Sequence, residues 1–136
     1  MKKWLLALAV ALFACLAPCF FASAASVRSS DTMILDWRTE KVWTDGGDLC
    51  VKGTFTNKRG DLTITKLNDF VMQITFTKDD GSKYQFIGRP EKMPLVKIKA
   101  NGRRTVTLNF GPFDGTWKDW VTTETYVFTY INGARW

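Results

Sequence analysis

Histidine is absent from this 136-residue chain, and its absence narrows the available chemistry at once. Without imidazole there is no Ser-His or Cys-His nucleophile pair, no ordinary base poised near neutrality and no use of the commonest zinc ligand. Acid–base work would fall to two carboxylates held in differently tuned surroundings. Yet Asp45, Asp48, Asp79, Asp80 and Asp114 all neighbour glycines, where aspartate serves local hydrogen bonding in turns. Turn formation accounts for them better than catalysis does. The expectation is a protein that is not an enzyme, with no cofactor, no metal ligands and no catalytic residues.

Two features point instead to binding. Between positions 83 and 104, Lys83, Arg89, Lys92, Lys97, Lys99, Arg103 and Arg104 stand against Glu91 alone, in a chain whose formal net charge is +6. Lys97, Lys99, Arg103 and Arg104 flank one turn signal, Asn101-Gly102, so a concentrated positive field is expected there, suited to a polyanion. The plainer account is that lysines on an edge strand discourage sheet-to-sheet association. The second feature is Trp117-Lys118-Asp119-Trp120, in which aromatic faces beside a carboxylate could stack on sugar rings. Its plainer account is that Trp117 and Trp120 cap the end of a small core. Trp37, by contrast, shares the spacing of Met33 and Leu35 and is expected inside.

The elements that must position these residues are strands. Leu49, Val51, Gly53 and Phe55 alternate with Cys50, Lys52, Thr54 and Thr56, and Phe70, Met72, Ile74 and Phe76 alternate with Val71, Gln73, Thr75 and Thr77. A period of two marks half-buried strands. Beta-branched residues favour a strand over a short amphipathic helix starting near Leu67. Further runs at 33–43, 83–87, 95–99, 104–110 and 122–131 bring the count to about seven, and the fold class expected is all-β: a single immunoglobulin-like antiparallel β-sandwich. Keeping Phe76 and Tyr84 on one face makes Asp79-Asp80-Gly81 a three-residue hairpin loop closed by Lys78 and Ser82. At Asn101-Gly102, a loop one residue longer than the minimal turn, or a bulge, pairs Ile98 with Val106 and Val96 with Leu108, keeping the lysines outside. Residues 111–121 read as a long connection with room for one helical turn around Trp117 and Trp120.

Ahead of this domain, Lys2 and Lys3 precede an uncharged apolar run from Trp4 to Phe21, followed by Ala22-Ser23-Ala24. That is the pattern of an export signal cleaved before Ala25. A membrane span is the competing account, but the run is short, contains Pro18 and lacks a basic stop-transfer flank. Lipidation at Cys15 or Cys19 is weaker still, because Phe13 and Pro18 spoil the small-residue approach. The expected organisation is a signal peptide over 1–24, a flexible segment over 25–31 and a β-sandwich domain over 32–136, with no transmembrane helix after cleavage. Only Cys50 of three cysteines would remain, so no internal disulfide is available. Alternation puts Cys50 on an outward face, whereas the preference of a free cysteine is burial. Burial, beneath the 111–121 connection, is the expectation.

The stretch Leu49-Cys50-Val51-Lys52-Gly53-Thr54-Phe55-Thr56-Asn57, a hairpin closing on Asp80-Gly81 and the late strand Thr107-Leu108-Asn109-Phe110 resemble bacterial extracytoplasmic immunoglobulin-like modules of the SLAP and FxLYD types. The resemblance implies an envelope-associated domain without catalysis, and carries over no functional residue. The aromatic-Leu-Tyr-Asp signature of the second type is replaced by Thr75-Phe76-Thr77-Lys78. The function expected is a secreted or cell-envelope binding or structural module in the periplasm or at the cell surface. Its partner would be an envelope polymer, glycan or protein, with no nucleic acid in that compartment. A secreted inhibitor or immunity-like protein and a small carbohydrate-binding module are the alternatives.

Overall fold

The computed structural model describes residues 25–133. The expected leader over 1–24, with Cys15, Cys19 and Ala22-Ser23-Ala24, lies outside the described residues. Seven strands follow one another: β1 (Ala25–Ser29), β2 (Leu35–Asp45), β3 (Asp48–Asn57), β4 (Leu62–Thr77), β5 (Lys83–Gly88), β6 (Arg103–Pro112) and β7 (Asp119–Asn132). They form a four-stranded sheet, ordered β1-β7-β4-β5, and a three-stranded sheet, ordered β2-β3-β6. Every pairing is antiparallel.

The connectivity is immunoglobulin-like with one substitution. Strands β2, β3 and β6 occupy the places of A, B and E, and β4, β5 and β7 those of C, C′ and F. The place beside F, which strand G normally fills, is taken by β1 from the other end of the chain. Residues 25–29 are therefore a paired edge strand rather than the loose lead-in expected. Its inward-facing positions are polar, which is why no apolar alternation announced it: Ser26 and Arg28 stand in register with the buried Tyr130 and Phe128 of β7. Ser30 then clamps the strand end, its N–H donating to the Tyr126 carbonyl at 2.7 Å and its Oγ accepting from the Tyr126 N–H at 3.0 Å.

Alternation along β3 and β4 positions the core as expected. Leu49, Val51 and Phe55 of β3 face Phe70, Met72, Ile74 and Phe76 of β4 across the sandwich, all fully buried. Trp37 is also buried, its ring centroid 4.7 Å from Phe55 and 5.1 Å from Phe70. It fits because residue 53 is glycine: a Cβ there would stand 2.2 Å from the indole Cζ2. Met33 does not join this face; it is 76% exposed in the turn before β2, which begins only at Leu35. The Asp79-Asp80-Gly81 loop forms as expected, with the Lys78 N–H on the Ser82 carbonyl at 2.8 Å, Gly81 at φ 85°, and Phe76 opposite Tyr84.

Two local expectations fail. Residues 95–99 are not a strand hairpinned to β6. Val96 and Ile98 are buried and Lys97 and Lys99 exposed, as alternation requires. Their partner, however, is β4: Ile98 and Ile64 exchange both backbone hydrogen bonds at 2.9 Å, and Val106 and Leu108 pair with Gly53 and Val51 of β3. The 111–121 stretch contains no helical turn. Trp120 already lies within β7 opposite Phe76, and Trp117 sits in the irregular run before it.

Candidate functional site

Asn57, the last residue of β3, gathers the basic residues into one corner. It is fully buried and its amide donates to the Leu62 carbonyl at 3.0 Å, the Lys99 carbonyl at 3.1 Å and the Ile98 carbonyl at 3.4 Å. Its Oδ1 accepts the Arg59 N–H at 3.0 Å, and its own N–H donates to the Gly102 carbonyl at 2.9 Å. One side chain thus fixes the 57–62 connection against the 98–102 turn. A buried amide satisfied on both ends is a strong geometric constraint, because any displaced carbonyl would lose its partner away from water. The turn itself closes with the Gly102 N–H on the Lys99 carbonyl at 2.9 Å and places Asn101 at φ 59°, a left-handed conformation that asparagine tolerates. It is a tight turn, not the longer hairpin loop expected.

The structure leaves Lys97, Lys99, Arg103 and Arg104 all exposed on the two arms of this turn. It also adds Lys58 and Arg59, whose carbonyl accepts the Asn101 N–H at 3.0 Å. These two are remote in sequence, and the signal for them was the asparagine ending the β3 pattern. Ion pairs among the described residues join Arg59 to Asp61 at 2.6 Å and Arg89 to Asp69 at 3.0 Å. Each arginine holds its carboxylate below the usual value, first through the hydrogen bond. Lys58, Lys97, Lys99, Arg103 and Arg104 enter neither pair. The carboxylates nearest in register are on the outer face of the three-stranded sheet: Asp36 lies across Thr56 from Arg103, and Glu40 accepts a hydrogen bond from Thr54, itself bonded to Thr105 at 2.9 Å.

Beside the corner, an open groove of about 480 Å³ runs between residues 91–95 and β6. Its wall is apolar at Met93, Pro94, Leu95 and Val106, and Arg104 and Lys92 flank it. Leu95 is 85% exposed.

Trp117 and Trp120 stand at the opposite end of the expectations. Trp117 packs on Phe76 with centroids 4.6 Å apart and on Phe113 at 6.0 Å, and both tryptophans are half-buried against the core. Tyr84 closes the same end, its hydroxyl donating to the Thr116 carbonyl at 2.9 Å. These rings cap the sandwich. Cys50 is buried at 6% exposure, as residue preference indicated, with Trp43 and Asn109 opposite it on the flanking strands. Burial pushes its thiol pKa up, and Asp45 and Asp48 add to that. No aspartate or glutamate among the described residues is buried, and no three potential metal-ligating side chains gather among them.

No family model matches the chain, and no curated protein is significantly similar to it. Among solved structures it is similar to a DUF1425 family member from Shewanella sp. pv-4, at 14% identity over 66% of this chain and 75% of that one, TM-score 0.35. It is also similar to the Salmonella enterica trimeric lipoprotein SadB, at 5% identity over 98% and 77% of the two chains, TM-score 0.33. The R. palustris protein CsgH is similar at 14% identity over 68% and 91%, TM-score 0.27. Likenesses this distant bear on neither ligand nor activity.

Proposed function

We propose that the protein is an exported, non-catalytic binding module of the cell envelope whose basic corner holds an anionic polymer outside the cytoplasm. The observation that carries this reading is the collection of Lys58, Lys97, Lys99, Arg103 and Arg104 around Asn57, outside the ion pairs formed by Arg59 and Arg89. Cations that form no ion pair among the described residues of a rigid frame keep their field for a ligand, and the frame removes the entropy loss of arranging them. The compartment follows from the leader pattern over 1–24. Phosphate- or carboxylate-bearing envelope polymers are its natural polyanions. Sugar stacking by Trp117 and Trp120 is less well supported, because Trp117 already lies against Phe76 and Phe113.

The test uses the protein purified from the exported fraction, titrated with inorganic polyphosphate over a range of salt concentrations. Binding should weaken steeply as salt rises. Replacing Lys97, Lys99, Arg103 and Arg104 together by glutamine should reduce the slope of log K against log salt by about 3, since each neutralised phosphate contributes roughly 0.7 for a flexible single-stranded polymer. Unchanged binding by that variant would reduce the corner to ordinary solvated surface.

A further inference from the structure

The unpaired edge of β6 is a row of backbone donors and acceptors facing the groove. Its polarity can be read from two hydrogen bonds. Gly102, just before β6, gives its carbonyl to Asn57 on the β3 side at 2.9 Å, while Asn109 gives its carbonyl to the Glu91 N–H on the far side at 2.8 Å. Successive residues of a strand alternate, so Arg103, Thr105 and Thr107 also point their N–H and C=O groups away from β3. Among the described residues, Thr105 and Thr107 have backbone ladder partners only through β3, and the outer side of β6 is bonded only at Asn109. The segment that would normally cover such an edge, 95–99, has been drawn onto β4 through Ile98 and Ile64. What remains is a short open strand edge with an apolar wall at Met93, Leu95 and Val106.

We propose that this edge accepts an extended acidic peptide segment of another protein as an added strand. Ladder bonds to Thr105 and Thr107 would supply register, and alternate apolar side chains of the peptide would lie against Leu95 and Val106. Charge fixes the partner's chemistry. Lys92 and Arg104 flank the groove, and the acidic residue in its lining is Glu91, at the Asn109 end, where Asp48 also accepts from the Asn109 amide at 3.0 Å. An acidic peptide therefore gains Coulomb energy, with its acidic end toward Arg103. A second copy of this chain would bring the same cations together and be repelled. The proposal does not rest on polymer binding by the corner, because it needs the β6 backbone, which a polyphosphate does not use.

The probe is a short synthetic peptide alternating valine with glutamate, with its valine–lysine counterpart as control. Titrated into the exported protein at up to millimolar concentration, the acidic peptide should slow hydrogen exchange at the Thr105 and Thr107 amides. The lysine peptide should not. Thr107→Pro removes one edge N–H while leaving the β3 ladder untouched, because Thr107 points away from it, and it should weaken the acidic peptide about tenfold. Should that variant fold poorly, a peptide N-methylated at its central residues reports the same loss on the unaltered protein. Polyphosphate binding should be the same in Thr107→Pro as in the parent. Failure of the acidic peptide to bind, protection at other residues, equal binding by Thr107→Pro and the N-methylated peptide, or a concentration-dependent dimer protecting the same amides would each overturn the proposal. Loss of polyphosphate binding with peptide binding retained would overturn the polymer reading alone.

Discussion

Gly53 shows how one residue in the β3 pattern decides the packing of a much larger one. The Cβ that any other residue would add stands 2.2 Å from Trp37 Cζ2 and 2.6 Å from the Arg38 carbonyl, and a backbone carbonyl cannot swing aside. Gly53→Ala should therefore destabilise the fold by about 1–3 kcal/mol or more, read from the urea midpoint at unchanged slope. A midpoint equal to the parent's would mean that Trp37 does not occupy that site. Tyr126 makes a prediction about pH. Burial, reinforced by Asp36, Glu124 and Asp31, raises its hydroxyl well above the ordinary value of 10.0, and the hydroxyl donates to the buried Leu35 carbonyl at 2.5 Å. A group that holds its proton more tightly when folded stabilises fully below the unfolded-state value and loses that contribution as pH rises through 10 toward the folded-state value. Stability should fall above about pH 10 in the parent. The fall should be shallower in Tyr126→Phe, which starts from a lower midpoint because the Leu35 carbonyl has lost its donor. Parallel pH curves would remove Tyr126 from the account.

Among the elements, β1 contributes least to the core and is placed where a last strand would ordinarily lie. Its inward positions are Ser26 and Arg28, and its end is held by the two bonds between Ser30 and Tyr126. Ser30→Ala should speed hydrogen exchange across the β1–β7 ladder while leaving β3 and β4 protected, because edge strands open locally without global unfolding. Equal acceleration in β3 would show that β1 is part of the cooperative core. The same contrast explains what could be read from sequence. The apolar alternation of 49–56 and 70–77 announced the sandwich, and the 78–82 hairpin could be placed from parity, because both are local patterns. The partner of 95–99 could not. Both β6 and β4 suit its alternation, and the choice is made by Asn57, a side chain remote in sequence, binding the carbonyls of Ile98 and Lys99. Strand β1 was hidden because a polar edge strand carries no apolar period. Lys97, Lys99, Arg103 and Arg104 could be read from sequence as flanking one turn, but Lys58 and Arg59 meet that turn only through that asparagine.

At the scale of the molecule, charge and aromatic packing are segregated. One end of the sandwich is closed by Phe76, Tyr84, Phe113 and Trp117, packed against one another in stacked, tilted and edge-on pairs. The Asn57 corner carries cations outside the Arg59–Asp61 and Arg89–Asp69 ion pairs, beside a sheet edge open from Arg103 to Thr107. The fold has no disulfide among its described residues, so its rigidity rests on the interlocked rings of Trp37, Phe55, Phe70 and Tyr126 and on the buried amide of Asn57. On the proposed reading, this rigid frame presents its basic corner to a polyanion. The most direct measurement is residue-by-residue mapping of amide shifts as the protein is titrated with polyphosphate. The account predicts that the largest shifts fall on Lys58, Lys97, Lys99, Arg103 and Arg104 and fade as salt is raised. Shifts centred on Trp117 and Trp120, or an unchanged spectrum at low salt, would contradict it.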